Sequence, residues 1–277
     1  MRNLAGRVAV ITGAGSGIGL ALAKRLAEMG MSLALADIEA GALDEAEAAI
    51  KPSGARTIAV RTDVSREDDV GALADATFEA FGNVHLLCNN AGVGGASGGA
   101  PIWDAPLEDF QWVFGVNFMG VLYGLRAFLP RMIANDDEGH VVNTASMAGL
   151  LAGASPYSIS KHSVVSLTEG LFTEFRRRGT KLSATVVCPG MVDARIVDSQ
   201  RNRPARYGPP VELSPEARQQ VEQMRKALET GIPPGEVADQ VVDAITEGSL
   251  YVFPAQPFLL DALEKHLTAM LHRRNPA

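Results

Sequence analysis

In the stretch "SPYSISKHS", Ser155 to Ser163, a tyrosine stands four residues before a lysine, with small residues between them. Positions four apart on a helix share one face. Tyr157 and Lys161 would therefore present a phenol and an ammonium to one point in space. That pairing suits proton transfer at an alcohol or ketone oxygen. A phenol with its ordinary pKa of about 10 is a poor base at neutral pH, and a neighbouring ammonium favours the phenolate. Taken alone, the same pattern also describes an ordinary helix surface. His162 lies about 100° round the helix from Lys161, so it reads as packing or polar surface and not as the base.

A second candidate site lies upstream. "TGAGSGIG" (12–19) falls between the apolar run "RVAVIT" (7–12) and the helical run "IGLALAKRLAEMG" (18–30). Gly13, Ser16, Gly17, Ile18 and Gly19 would let the backbone approach a pyrophosphate, with free N–H groups and a helix dipole favouring its charge. Its place after a strand and before a helix is the context that such a turn requires; a structural turn is the competing reading. Asp37 ends the next strand, "SLALAD" (32–37), about 20 residues on, where an acid accepts from a ribose diol. Ile38 and Glu39 follow, with no basic residue for a 2′-phosphate, so NAD is favoured over NADP. The competing reading has Asp37 capping the next helix.

The elements that position these residues alternate. Strands are expected at 56–64, 84–92, 139–146 and 181–190, and helices at 41–50, 66–82, 107–133 and 155–178. Strand and helix in alternation predict an α/β fold with a parallel sheet covered on both faces. Residues 191–235 break the rhythm with the polar, proline-rich "RIVDSQRNRPARYGPPVELSP" and then the helical "EARQQVEQMRKALE". A long irregular insertion of this kind reads as a substrate-binding loop or lid. The alternation resumes with a helix in "PGEVADQVVDAITEG" and a short strand in "SLYVFPA". The tail, 254–277, is an amphipathic helix expected to pack on its own domain or a partner subunit. No low-complexity linker or internal repeat divides the chain, so 1–277 reads as one domain.

Bulk composition excludes several classes. The chain has 277 residues with a net charge of -7, which argues against sequence-independent nucleic-acid binding. Its two cysteines, Cys88 and Cys188, lie in apolar runs, so a disulfide framework is not expected and a reducing compartment fits. The histidines show no metal-binding spacing, and no metal is expected. The N-terminal apolar run passes straight into the glycine turn, unlike a signal peptide, and no uncharged apolar run reaches about 18 residues. A cytoplasmic location without membrane contact is the expectation.

Together these residues resemble the classical short-chain dehydrogenase/reductase family over about residues 5 to 195. The glycine turn is similar to the family's cofactor turn, "NNAG" (89–92) to its fourth-strand motif and "YSISK" (157–161) to its signature. Asn117 in "GVNFMG" matches the helix asparagine of its catalytic set, Asp63-Val64 the pair that contacts adenine, and "CPGMV" (188–192) the motif beside the nicotinamide. The resemblance implies a Rossmann-type doubly wound sheet and an NAD-dependent oxidoreductase. Its catalytic set would be Asn117, Ser146, Tyr157 and Lys161. Asn90, Ala91, Gly92, Pro189, Gly190 and Val192 would join the cofactor contacts, as would Tyr157 and Lys161. Ser146 would hold the substrate oxygen, Lys161 the nicotinamide ribose, and Asn117 a water linking Lys161 to solvent.

Two departures stand out. The spacing from Ser146 to Tyr157 is shorter than is common in the family, which leaves Thr144 as an alternative hydroxyl. Ala194 stands where the family often has threonine. "RPARYG" (203–208), "LYVFPA" and "LEKH" resemble a bacterial subgroup that includes benzylic alcohol dehydrogenases acting on lignin-derived aryl ethers. This implies a secondary alcohol or ketone with a bulky apolar or aromatic part. Ser146, Met147, Leu150, Tyr157, Val192, Ile196 and Tyr207 are candidate pocket residues, with Gly94 and Gly95 leaving room opposite. Core or loop packing is the other reading for the apolar ones. A homotetramer or homodimer built through helices 107–133 and 155–178 is implied. An NADPH-dependent ketone reductase and a non-catalytic cofactor-binding regulator are the rival readings.

Overall fold

The computed structural model describes residues 1, 3–95, 101–209 and 212–275. The apolar runs form β1 (Val8–Thr12), β2 (Ser32–Asp37), β3 (Thr57–Arg61), β4 (Leu86–Asn89), β5 (Gly139–Thr144), β6 (Leu182–Val187) and β7 (Tyr251–Val252). They pair in parallel as one sheet in the order β3-β2-β1-β4-β5-β6-β7. Nine helices among the described residues complete the single α/β domain: α1 (Gly17–Glu28), α2 (Ala40–Ile50), α3 (Glu67–Phe81), α4 (Leu107–Phe114), α5 (Gly120–Ala134), α6 (Pro156–Arg178), α7 (Pro215–Glu229), α8 (Pro234–Glu247) and α9 (Pro257–Leu271).

Successive strand side chains point to opposite faces. Ala9 and Ile11 pack with Leu22 and Leu26 of α1 and Val241 of α8. Val10, between them, packs with Leu73 of α3, Phe128 of α5 and Val164 of α6. Both faces of β1 are thus buried, which is why its sequence is an unbroken apolar run and not an alternating one. The strand order reverses between β1 and β4, and that reversal opens a crevice at the carboxyl ends of the strands.

The helix expected at 107–133 is interrupted. α4 and α5 are joined by a π-helical turn, Gly115–Met119, in which the Gly120 N–H reaches back five residues to the Gly115 carbonyl. Asn117 sits in this turn. Periodicity cannot register one inserted residue, and such turns often mark functional sites. By length and composition Leu107–Ala134 passes as a membrane span, yet 44% of its most apolar window is buried. Val121, Leu125 and Phe128 lie in the core against the sheet, as a core helix requires.

The insertion departs and returns at one point. Val192 bridges Ile232, the Ile232 N–H donates to Met191 O at 2.9 Å, and the Asp193 N–H donates to Ile232 O at 3.0 Å. Between lie two 3-10 stretches, Arg195–Asn202 and Ala205–Tyr207, and α7. The tail helix α9 buries Leu263 against the core and leaves Phe258, Leu267, Met270 and Leu271 exposed.

Two glycines separate close packing from simple helix propensity. A Cβ on Gly19 would stand 2.0 Å from Gly13 O, a backbone atom that cannot swing away, whereas nothing lies within 4 Å of one on Gly71 in α3. Gly19→Ala is expected to lose at least about 2 kcal/mol, roughly 5 °C in Tm. Gly71→Ala is expected to gain about 0.5–1 kcal/mol. Thermal melts of the two variants check both signs.

Candidate active site

Two turns meet at the crevice. The Thr12 hydroxyl, at the end of β1, accepts from the Asn90 N–H at 3.0 Å and the Ala91 N–H at 3.1 Å. Asn90 Nδ2 donates back to Thr12 O at 3.0 Å. A Cβ on Gly13 would come within 2.9 Å of Ala91 Cα, and Gly13 and Gly17 have φ of +67° and +53°. Only glycine holds that backbone at low cost. Gly13, Ser16, Gly17 and Ile18 line the cleft, and α1 starts at Gly17 with its N-terminus toward it. At the end of β2, Asp37 Oδ2 accepts from the Gly15 N–H at 2.9 Å and Oδ1 from the Glu39 N–H at 3.1 Å. Glycine cradle, helix N-terminus and carboxylate fit a dinucleotide laid across the switch point.

The other end of the cleft carries the catalytic candidates. α6 starts on a capping box: Ser155 Oγ accepts from the Ser158 N–H, the Ser158 side chain answers the Ser155 N–H, and Pro156 holds the first turn. This fixes Tyr157 in the first turn and Lys161 one turn on. Ser146 caps the short turn after β5, its Oγ accepting from the Ala148 N–H at 3.1 Å. Its hydroxyl donates to Pro189 O at 3.5 Å, and Ser146 lines the cleft together with Tyr157. The Thr144 hydroxyl is directed instead to Asn90 Oδ1 at 3.3 Å, while Thr144 O accepts from Lys161 Nζ at 2.8 Å. Lys161 is buried, with Nζ 5.9 Å from the Tyr157 ring centroid.

Burial sets the charges. It pushes the Tyr157 phenol up, opposed by the hydrogen bond with Ser146. It brings the Lys161 ammonium down to about 8. Both shifts disfavour the charged form, as desolvation does. Cys188, next to this site, is pushed up to about 12 by burial, an inert thiol.

Asn117 is held between the β4 loop and α6. Its Oδ1 accepts from the Val93 N–H at 2.8 Å, and its Nδ2 donates to Val93 O at 3.0 Å and to Ser160 Oγ at 3.1 Å. Both amide hydrogens are used, so the side chain ties the β4 loop to α6, while Oδ1 keeps a second lone pair. Gly92 lies between it and the lysine: a Cβ there would stand 3.2 Å from Lys161 Nζ and 3.3 Å from Asn117 Oδ1.

Ile38, Asp63, Val64, Asn90, Ala91, Gly92, Pro189, Gly190, Val192 and Ala194 line the same cleft, with Ser146, Tyr157, Lys161 and Ile196. Gly19 does not; it serves the packing of α1 on the turn. Met147, Leu150 and Tyr207 also stand outside the cleft wall among the described residues. The turn after β5 carries Met147 into the core and lays Leu150 against it. The Tyr207 ring packs on the cluster of Val93, Trp112 and Val113. Gly94 and Gly95 are spaced for contact and not for room: Cβ atoms there would meet Ile196 O at 3.1 Å and Val113 Cγ2 at 2.8 Å. Sequence reading missed Arg195, Ser199, Arg201 and Asn202, which line the cleft from the insertion. Their polar, irregular run carries no periodic signal, and only the fold brings them to β2.

A switch-point crevice with a glycine cradle at one end and a buried phenol, hydroxyl and ammonium at the other is built for dinucleotide-dependent oxidoreduction. Residues 7–205 match the family described as short chain dehydrogenase, and the chain belongs to it. It is an oxidoreductase acting on CH–OH donors. A short chain dehydrogenase/reductase from Burkholderia phymatum, solved in complex with NAD, is 42% identical with a TM-score of 0.94, covering 100% of this chain and 98% of that one. The 1-deoxy-11-beta-hydroxypentalenate dehydrogenase of Streptomyces arenae is 40% identical over 69% of each chain. The C alpha-dehydrogenase of a Sphingobium strain is 30% identical over 98% of this chain and 87% of its own.

The lowered value for Lys161 has a consequence for stability. Between about 8 in the folded protein and 10.5 in the unfolded chain, the unfolded state binds more protons, so stability contributed by this group rises with pH across that window. The Tm of the parent is expected to gain on that of Lys161→Met as pH goes from about 8 to 10, measured by melts in matched buffers. A parallel pH dependence in the two would sink the assignment.

Proposed function

We propose that this chain is an NAD-dependent dehydrogenase of a secondary alcohol with a bulky apolar or aromatic part, with Tyr157 as general base, and as general acid in the reverse direction. The observation that carries the reading is the meeting of Tyr157, Ser146 and Lys161 at one end of a cleft whose other end holds Asp37. The NAD in the similar Burkholderia structure supports the cofactor, and the relative named for 1-deoxy-11-beta-hydroxypentalenate supports an alcohol substrate.

When bound, NAD supplies the hydride acceptor and a positive charge at the nicotinamide. Asp37 would accept from the adenosine ribose diol, and its charge would disfavour a 2′-phosphate. Ser146 Oγ orients the substrate oxygen, and Tyr157 Oη takes its proton. Lys161 Nζ, anchored by Thr144 O, keeps positive charge beside the phenol and favours its ionised form. Asn117 positions the β4 loop against α6. The insertion, through Ile196, borders the reacting end. A cytoplasmic homotetramer or homodimer accords with this reading.

Absorbance of NADH over a panel of secondary alcohols tests it, with NADP in parallel. Tyr157→Phe is expected to lower kcat by about 10²–10⁴-fold while NADH binding persists. Ser146→Ala is expected to cost at least about tenfold in kcat, and Thr144→Ala, which leaves the carbonyl bonded to Lys161, much less; the reverse order would transfer the role to Thr144. Asp37→Ser is expected to relax the preference for NAD over NADP, read as the ratio of kcat/KM values.

A further inference from the structure

The acids at the adenosine end of the cleft are met by an array of guanidinium groups that comes entirely from the insertion. Glu39, after β2, accepts from Arg201 Nη2 at 2.7 Å, Arg201 Nε at 3.0 Å and Asn202 Nδ2 at 2.8 Å. Asp63, after β3, accepts from Arg206 Nη2 at 3.0 Å, which also reaches Ser65 Oγ at 2.6 Å. Between them Arg203 is buried. It pairs with the equally buried Asp109 of α4, donates to Tyr207 O and Gly208 O, and lies 5.2 Å over the Trp112 ring. At the reacting end, Ser199 Oγ accepts from the Gly94 N–H at 3.0 Å. Residues 195–207 therefore cross the mouth of the cleft, from the end where Ile196 meets Gly94 to the ends of β2 and β3.

The pairs are of two kinds. Arg203–Asp109 is almost wholly buried, joined through Asp109 Oδ1 while Oδ2 has no hydrogen-bond partner; losing one partner would strand a buried charge. Arg201–Glu39 and Arg206–Asp63 are partly exposed, with arginine side-chain exposures of 27% and 40%. Such pairs contribute little to stability, so fold stability does not account for their placement. Electrostatics does. Asp37, Glu39 and Asp63 gather three negative charges at the adenosine end of a cleft for a dinucleotide that itself carries a pyrophosphate dianion, on a chain of net charge -7. Arg201 holds Glu39 below the usual carboxylate range through its hydrogen bond, and Arg195 adds to the effect.

We propose that residues 195–207 form a strap over the adenosine half of the cofactor cleft, and that Arg201 and Arg206 are positioning residues for the dinucleotide and not for the alcohol. The proposal rests on reading the cleft as the NAD site. It reassigns much of the insertion from substrate to cofactor: Ile196 borders the reacting end, while the arginines serve the far end.

The test is fluorescence titration of the full chain with NADH and, at millimolar concentration, with reduced nicotinamide mononucleotide, which lacks the adenosine half. The double variant R201A/R206A is expected to bind NADH about tenfold more weakly and the mononucleotide as the parent does. R201Q alone, which keeps bulk and a donor, is expected to lie between, and retained mononucleotide binding shows that the variants are folded. NADH affinity within twofold of the parent would overturn the strap's role, as would equal losses for the two ligands. A parent chain that binds no NADH at all would instead overturn the cofactor reading on which the proposal stands.

Discussion

One buried hydroxyl holds the two halves of the sheet in register where the ligand must enter. Thr12 Oγ1 takes two backbone N–H groups from the β4 turn and approaches Cys88 O at 3.4 Å, while Asn90 reaches back to the β1 carbonyl. At a topological switch point the strands on either side run to helices on opposite faces, and these bonds extend the β1–β4 pairing into the two turns, with Asn90 Nδ2 also reaching Gly13 O at 3.4 Å. The cradle glycines, the Asp37 carboxylate and the Asn117 anchor all take their places from that junction. Buried backbone donors must find acceptors, and this threonine answers two of them at once.

The reacting end obeys a different constraint, the cost of burying charge. Lys161 has few polar neighbours, and the Thr144 carbonyl accepts from its ammonium at 2.8 Å. Strand β5 thus offers its last carbonyl to the lysine, and the turn that follows it carries the Ser146 hydroxyl into the same end of the cleft. The capping box of α6 fixes the helix side of the same arrangement. Position here follows from one strand end and one helix start, which is why two short motifs far apart in sequence suffice to mark it.

Much of this was legible before folding. The seven strands and the order of motifs follow from apolar runs and glycine punctuation, because a sheet buried on both faces leaves so plain a trace. The Tyr157–Lys161 spacing and Asp37 after β2 are local, and local patterns survive in sequence. The π-turn at Asn117 was not legible, since one extra residue shifts no periodic signal. Nor was the core placement of Met147, or the reach of Arg201 to Glu39 across 162 residues. Those depend on where an irregular segment lands, and no periodicity governs that.

The bridge between Val192 and Ile232 closes the insertion at its neck. Closing a longer or shorter excursion at the same neck changes the entropy only logarithmically. The sheet therefore does not register what hangs from that point. The whole excursion can be exchanged for another while the cleft residues on β4, β5 and α6 stay where they are. The neck makes this segment a module whose length can change without disturbing the strands that flank it.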